Sequence, residues 1–343
     1  MTVAIAPLTT EHVPEAAALL DRWYARTRKA LPHQAGRTTS PPPGEELLGK
    51  VLAGPGVEAV LARGGDGAVT GYLAATPLDL ADGDRAALRA HPHSALVPYG
   101  GHALRGGRDG VPDDVLRGLY AVVAARLVAE RRYVHYVDLP ADEAAAAAWF
   151  RTGFGLERVR GLMAVRPRGR QPRGVDALSV RRAGPGDLDR IGRMAVEAAR
   201  ADRGTAVFRP QPEGALATLR THYADALADA RCGAWVAARR GEEIGMVVLT
   251  PAAPGPVVPD GCVELVEAYV TQAARGEGIS RVLLATALAW AYDSGYRHIT
   301  ASWPAGSPVS AAHWPAVGFR PVAYRLQRVL DPRMCGTPQR RQV

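Results

Sequence analysis

Along the second half of the chain, the spacing of apolar residues changes several times, and each change predicts a new element of secondary structure. Apolar runs at 234–239 and 244–250 flank a polar, Gly-containing turn, which is typical of a hairpin. A further apolar run predicts a strand over 262–270. Residues 279–294 then place most of their apolar side chains on one face of a helix. The pattern therefore predicts a strand that leads, through a short turn, into an amphipathic helix.

The remaining runs of this half complete a mixed pattern of strands and helices. A strand is predicted at 298–302, a helix at 310–317 and a last strand at 321–329, after an opening strand near Val180 and one or two helices. Elements in this order are typical of a sheet covered by helices. The predicted fold class is α/β, in the α+β sense, with a mixed sheet.

The first half of the chain repeats three landmarks of the second half in the same order. Residues 5–13 have the layout of 180–188, a short strand followed by a polar turn that opens a helix. The runs 57–63 and 71–76 correspond to the later hairpin. Segment 148–154 matches segment 312–319, and both end in Gly-Phe. A repeated order of landmarks predicts a duplicated domain.

The Pro-, Arg- and Gly-rich stretch 166–177 reads as a solvated linker between the two halves. We therefore predict an N-terminal domain at 1–165 and a C-terminal domain at 178–331. A polar, flexible tail is expected at 332–343. A loop-like segment at 32–44 interrupts the first half.

The composition argues against several classes of binding partner. The net charge is +8 with 42 Lys and Arg against 34 Asp and Glu, but no basic block typical of nucleic-acid binding is present. No apolar stretch is long enough to span a bilayer, and the three cysteines lie far apart. We expect a cytoplasmic protein that binds no nucleic acid, membrane or metal and is a monomer or homodimer.

The turn between the strand at 262–270 and the helix at 279–294 carries the strongest chemical signal. It reads Arg275-Gly276-Glu277-Gly278-Ile279-Ser280. Glycines allow a tight turn, and the free N–H groups at the start of a helix attract anions such as a diphosphate. The Gly spacing of a dinucleotide-binding fold is absent, which argues against NAD.

Here the chain resembles the GNAT acyltransferase superfamily, whose signature at such a junction is Gln/Arg-x-x-Gly-x-Gly/Ala. Arg275 and Gly278 fill the first two positions, and Ser280 replaces the usual Gly or Ala. A second family landmark is an aromatic residue four positions before a Gly-Phe pair, here Trp314 before Gly318 and Phe319. The resemblance covers about residues 178–330 and, more weakly, 1–165. It implies two tandem GNAT folds, each a splayed, mixed β-sheet flanked by helices.

The resemblance also implies a ligand and its contacts. Acyl-CoA, expected to be acetyl-CoA as co-substrate, would lie where two strands splay apart. Its pyrophosphate would meet the backbone of the turn from Arg275 to Ser280, and its pantetheine arm would pair with Ala268, Tyr269 and Val270. Ser310 and Trp314 are further expected contacts. A backbone N–H near Val270 would polarise the thioester carbonyl.

Two carboxylates precede the turn and are candidates for the base that deprotonates the acceptor amine. Glu264 matches the position of the base in some GNAT enzymes and is favoured, while Glu267 lies nearer the thioester. Residues three apart on a regular strand face opposite sides, so only one should face the cleft unless a bulge intervenes. Both could instead be strand-edge charges paired with arginines.

Trp314 occupies the position of the family's usual general acid, a Tyr, and indole cannot protonate a thiolate. Either the thiolate leaves unaided, or Ser310 or His313 substitutes. The first half lacks the phosphate-binding spacing around 104–114, so it is predicted to be non-catalytic.

The predicted function is N-acetyl transfer from acetyl-CoA to the amine of a small molecule, by direct attack in a ternary complex. Three alternatives stay open from the sequence: another acyl-CoA donor, a protein or peptide amine as acceptor, and a non-catalytic acyl-CoA-binding protein.

Overall fold

The computed structural model describes residues 4–30, 42–106, 113–167, 175–201 and 206–334. Within these ranges the helices are α1 Val13–Ala30, α2 Gly44–Leu52, α3 Asp113–Ala129, α4 Glu143–Phe150, α5 Leu188–Ala201, α6 Glu213–Ala228, α7 Ile279–Asp293 and α8 Pro308–Val317. The strands are β1 Ala4–Pro7, β2 Glu58–Arg63, β3 Val69–Asp79, β4 His93–Val97, β5 His102–Leu104, β6 Val134–Pro140, β7 Gly155–Ala164, β8 Leu178–Arg182, β9 Gly233–Arg239, β10 Glu242–Pro251, β11 Cys262–Val270, β12 His298–Pro304 and β13 Arg320–Val329. None of the described helices is long and apolar enough to cross a membrane.

All of these strands belong to one continuous mixed sheet. The order is β1-β2-β3-β4-β6-β13-β7-β12-β11-β10-β9-β8, and β5 pairs with β3 beside β4. Most neighbours are antiparallel, whereas β4 with β6 and β11 with β12 are parallel. The predicted fold class, a mixed sheet flanked by helices, is confirmed.

The centre of the sheet is built by an exchange of strands between the two halves of the chain. β7, the last strand of the first half, pairs with β12 of the second half. β13, the last strand of the second half, pairs with β6 of the first. The two exchanged strands also pair with each other. Each half of the sheet therefore includes a strand from the other half.

Alternation along β7 directs its side chains to two different environments. Val159, Gly161 and Met163 face one side, where Val159 and Met163 join the apolar core that contains Trp303 and Phe319. The intervening residues Arg158, Arg160 and Leu162 face the other side. The sheet is thus apolar beneath α7 and α8 and carries charged residues on the opposite face of its central strands.

Helices cover both faces because each has an apolar stripe. α7 buries Ile279, Leu283, Leu284, Ala287 and Ala291, a spacing that faces one side of a helix. On the opposite face, α5 and α6 pack together over the outer strands of the second half through a core that includes Met194, Leu216, Leu219 and Tyr223.

The predicted element boundaries in the second half agree with the observed ones to within a few residues. The strand at 262–270 is observed over the full predicted range, and the helix expected at 279–294 is α7. The division of the chain at 166–177 stays a prediction, with 168–174 outside the described residues. Parts of the loop-like segment 32–44 and of the tail also lie outside them, namely 31–41 and 335–343.

The exchanged strand β7 tolerates no side chain at its centre. A Cβ at Gly161 would lie 2.7 Å from the Trp303 ring and 3.0 Å from Cβ of Phe319. We expect Gly161→Ala to lower the free energy of unfolding by about 1–3 kcal/mol through overpacking, as measured by urea denaturation. Gly155→Ala on the same strand meets nothing within 4 Å and should leave stability unchanged. Equal stability of the two variants would show that the core at β7 has room to adjust.

Candidate functional site

A gap opens between β11 and β12. Their parallel pairing runs from Cys262 opposite His298 to Leu265 opposite Ala301 and then ends. β11 nevertheless continues to Val270, and β12 to Pro304. Beyond Leu265 the two strands therefore diverge, so one edge of β11 is open on the side of the gap.

Backbone groups at the end of β11 point into this gap. Val270 lies opposite Gly245 of β10, while the N–H of Thr271 donates to the carbonyl of Ile244. In an antiparallel ladder this pattern makes Val270 and Gly245 a non-hydrogen-bonded pair, so the N–H and C=O of Val270 turn away from β10. Ala268 has the same orientation because it is two residues away. Tyr269, between them, faces β10 with its backbone.

The turn after β11 presents a row of amides. Gly276 and Gly278 have φ angles of 85° and 87°, a region that favours glycine. Gly278 caps α7, and no side chain caps this helix end. Among the described residues, no acceptor bonds the N–H groups from Gly276 to Ser280. These N–H groups are therefore free to bind a ligand, and the anion-binding role of the turn stays a prediction.

Side chains of the turn contact the neighbouring strands. The Arg275 Nε donates to the Val270 carbonyl at 3.1 Å, and its guanidinium lies 5.9 Å from the centre of the Tyr269 ring. Glu277 forms an ion pair with Arg239 of β9. Ile279 is the first residue of α7 and is buried. Its burial anchors the first turn of that helix.

The predicted contacts on α8 lie near its start and its end. Ser307 caps the helix, and its hydroxyl bonds Ser310 Oγ at 3.2 Å. Trp314 packs edge-to-face against Phe319 and against His313. Burial, reinforced by the charge of Arg281, lowers the pKa of His313. A histidine with a lowered pKa is neutral at pH 7, so His313 is a poor proton donor there.

A β-bulge brings both candidate bases to the same face of the sheet. Glu264 lies opposite Thr250 and Glu267 opposite Val248, two residues apart on β10, because the ladder shifts at Val266. The expectation for a regular strand, that Glu264 and Glu267 face opposite sides, does not apply here. Because the bulge adds one residue, both side chains lie on the same face of the sheet, opposite the apolar core that contains Leu265.

Glu267 lies in a partly buried, hydrogen-bonded position. Its Oε2 accepts a hydrogen bond of 3.0 Å from the hydroxyl of Tyr223, a fully buried residue of α6. Burial raises the pKa of Glu267, while the charges of Arg89 and Arg85 and the hydrogen bond from Tyr223 oppose this rise. A raised pKa makes a carboxylate a better acceptor of a proton near neutral pH.

Glu264 interacts with an arginine from the first half of the chain. The Nη2 of Arg160 on β7 lies 3.6 Å from its Oε1. Arg160 is available for this contact because its partner on β12 is Ser302, which is uncharged. The exchange of strands thus brings a residue of the first half to the candidate site of the second.

The equivalent region of the first half is filled by aromatic side chains. The pairing of β5 with β3 corresponds to the pairing of β11 with β10. In this correspondence, His102 of β5 occupies the position of Ala268 of β11. It is 2% exposed and accepts a hydrogen bond of 3.4 Å from Trp149, which is 1% exposed. Trp23 packs on its other side. The residues that replace the phosphate-binding turn there, 107–112, lie outside the described chain.

Sequence reasoning missed several charged and polar residues of this site, namely Arg85, Arg89, Arg158, Arg160 and Tyr223. Their approach to Glu264 and Glu267 depends on pairing between distant parts of the chain. One signal was present: β7 carries Glu157 and two arginines, two residues apart, in an otherwise uncharged strand. On a buried central strand such a pattern is unusual and indicates a polar role.

Comparisons with known proteins agree with the observed fold. The sequence profile of the acetyltransferase (GNAT) family matches residues 197–313. No curated protein matches the chain in sequence. A GCN5-related N-acetyltransferase from Sphaerobacter thermophilus has a similar structure, with a TM-score of 0.55 and 17% identity over 95% of each chain.

A tandem GNAT protein from the clavulanic acid biosynthesis pathway is also similar, with a TM-score of 0.50 and 14% identity. The alignment covers 96% of this chain and 98% of that one. These similarities extend over both halves, whereas the match to the family profile lies entirely within the second half. The chain therefore has the fold of these GNAT proteins over both of its halves, and residues 197–313 match the acetyltransferase (GNAT) family in sequence.

Proposed function

We propose that the second half of this protein transfers an acetyl group from acetyl-CoA to the amine of a small molecule. The observation that carries the proposal is the gap between β11 and β12, which leads directly into the free amides from Gly276 to Ser280. A carboxylate with a raised pKa, Glu267, lies on the strand that borders the gap.

The residues of the gap fit the donor that the fold implies. The amides of the turn would hold its diphosphate, aided by the positive end of α7. The outward-facing backbone of Ala268 and Val270 would pair with its pantetheine arm, and the Val270 N–H would donate to the thioester oxygen. When bound, acetyl-CoA supplies an activated acyl group; Ser310 and Trp314 would border its thiol end.

Glu267 is the better-placed candidate for the base. It is adjacent to Ala268, whose backbone faces the gap, and its carboxylate is oriented by Tyr223. It would take the proton of the acceptor amine, directly or through one water. Glu264, held by Arg160, would position the amine or relay the proton.

The thiolate of CoA would leave without receiving a proton from residue 314. Trp314 has no acidic group, and the pKa of His313 is lowered. Ser310 is engaged with the cap of α8. Because the pKa of a thiol is about 8.5, departure as a thiolate is feasible near neutral pH.

The acceptor would bind on the charged face of the central strands, on the side opposite α7. Two loops of the second half, 206–212 and 251–261, would border this face. Arg209 from the first of these loops bonds Glu157 of β7 at 2.9 Å. Val257 and Val258 from the second pack against Leu162 on the same face. Residues of both halves therefore border the proposed acceptor site.

Substitution of Gly278 tests the donor site. Gly278→Ala places a Cβ on a left-handed residue, which costs about 1–2 kcal/mol, and points it into the space beside the amides. We expect the Kd of CoA, measured by calorimetry, to rise about tenfold or more. Gly295, with φ of 89° at the other end of α7, also has open space for a Cβ. Gly295→Ala should strain the same helix without changing this Kd, so an equal loss of affinity in both variants would contradict the assignment.

Substitution of the two carboxylates tests the base. We expect Glu267→Gln to lower kcat about 100-fold near pH 7. The defect should shrink as pH rises, because more amine is then deprotonated in solution. Glu264→Gln should lower kcat by less than about tenfold. CoA release with a panel of amines, followed from pH 6 to 9, measures both effects; unchanged kcat in both variants would refute the assignment.

The Tyr223 hydroxyl gives a sharper test of Glu267. Its hydrogen bond stabilises the ionised carboxylate and so lowers the pKa of Glu267. Tyr223→Phe should therefore move the acidic limb of the kcat/KM profile to higher pH. Tyr296→Phe removes a hydroxyl that bonds the Arg231 carbonyl at the surface and is the matched control. An acidic limb that stays in place in Tyr223→Phe would mean that Glu267 does not titrate in the reaction.

A further inference from the structure

The candidate bases and two arginines lie on the same face of the central strands. Thr300 of β12 lies opposite Glu264 on one side and Leu162 of β7 on the other, so these three side chains share a face. Arg160 and Arg158 are two and four residues before Leu162 on β7 and face the same side. The charged face therefore runs from Glu264 across to Arg158.

Arg158 is buried without full hydrogen bonding. The residue is 8% exposed, and its Nε and Nη2 have no hydrogen-bond partner among the described residues. Nη2 approaches Glu157 Oε1 only to 3.5 Å, and that oxygen already accepts a hydrogen bond of 2.9 Å from Arg209. A buried guanidinium with unused donors is costly in a folded protein. Its unused N–H groups are available to a ligand.

Positive charge exceeds negative charge around this position. Among the described ion pairs, Arg325 is matched with Asp138 and Arg160 with Glu264, whereas Arg209 and Arg158 share the single carboxylate of Glu157. Arg85 donates to His222, and neither it nor Arg89 has such a carboxylate partner. Arg89 acts electrostatically on both Glu267 and Arg158, so it lies near each of them. The net positive charge is therefore concentrated beside the candidate base.

The duplication shows that Arg158 is particular to this half of the sheet. When the Gly-Phe pairs of the two halves are aligned, Arg160 corresponds to Arg325, and Arg158 corresponds to Ala323. The register agrees, because Arg160 lies opposite Ala323, and Arg325 opposite Arg158. Arg325 is satisfied by the Asp138 carboxylate at 2.8 and 3.0 Å. Arg158 has no counterpart in the repeat, so the fold itself does not require it.

We propose that the acceptor is an amine that also carries an oxyanion, a carboxylate or a phosphate group, and that this anion binds to Arg158 and Arg89 while the amine lies at Glu267. The proposal rests on the acyl transfer proposed above and names its class of acceptor. A guanidinium fork with free donors matches the paired oxygens of either anion.

The spacing of the strands sets the size of the acceptor. β7 and β11 are separated by one strand, β12, so their backbones lie about 10 Å apart. The side chains of Arg158 and Glu267 fill part of that distance. An acceptor in this site would therefore carry its anion several bonds away from its amine, as in an ω-amino acid or a phosphorylated amino sugar.

Matched acceptors test the proposal in the full-length protein. Each pair differs only in the anion: 4-aminobutyrate with its amide, phosphoethanolamine with ethanolamine, and glucosamine 6-phosphate with glucosamine. We expect kcat/KM, measured by CoA release, to favour the anionic member of at least one pair. Preference within the first pair identifies a carboxylate, and preference within the other two identifies a phosphate.

Arg158→Met removes the charge and keeps most of the volume. For the preferred anionic acceptor we expect kcat/KM to fall about 30-fold or more, mainly through KM, and the uncharged member of the pair to be unaffected. Arg158→Lys should recover part of the loss. Arg132→Met is the matched control, since Arg132 is 7% exposed but bonded to Asp79 and Glu130. It should lower stability without changing the preference between paired acceptors.

A binding measurement separates this proposal from the proposed reaction. With the turn from Gly276 to Ser280 saturated by CoA, inorganic phosphate or acetate is titrated at constant ionic strength, and the Tm is recorded. We expect at least one anion to raise the Tm of the unaltered protein and not that of Arg158→Met. This shift, observed without acyl transfer to any amine, would support the anion site and refute the reaction.

Two results would overturn the anion site. Acyl transfer that does not distinguish the members of any pair, with equal rates in Arg158→Met, would leave the reaction standing and refute the acceptor class. An equal rise of Tm in the unaltered protein and in Arg158→Met would show that the anions bind elsewhere.

Discussion

Pairing of β7 with both β12 and β13 is the interaction on which the rest of this structure depends. It joins two copies of one fold into a single sheet, and it brings Arg158 and Arg160 from the first half to the face that carries Glu264 and Glu267. The backbone ladder can run so closely past Trp303 because Gly161 has no side chain. The proposed acceptor site is thus a product of the duplication and not of either copy alone.

The two copies have diverged in what fills the space beside their parallel central strands. In the first half, Trp149 and His102 are buried and bonded to each other. In the second half, Trp314 is only partly buried and Ala268 takes the position of His102, so the gap is lined by backbone. A small residue in place of an aromatic one leaves room for a ligand. The first copy therefore contributes stability and arginines, while the second carries the proposed donor site.

The secondary structure of the proposed donor site could be predicted from the sequence because its signals are local. The strand over 262–270, the turn from Arg275 to Ser280 and the helix after it are adjacent in the chain, and each has its own residue pattern. The shared face of Glu264 and Glu267 could not be predicted, because a bulge is defined by pairing with β10. The proposed roles of Tyr223 and Arg158 could not be predicted either, because they depend on contacts between residues far apart in sequence.

The position of β13 has a consequence for how the chain is made. Arg325 of β13 and Asp138 of β6 are 187 residues apart, and a ribosome needs roughly 10–40 s to synthesise that length. Throughout that interval β6 can form the edge of an unfinished sheet, with backbone groups open to pairing. Nascent chains at this stage would be vulnerable to joining one another edge to edge, and a chaperone that shields β6 until β13 emerges would raise the yield of native protein.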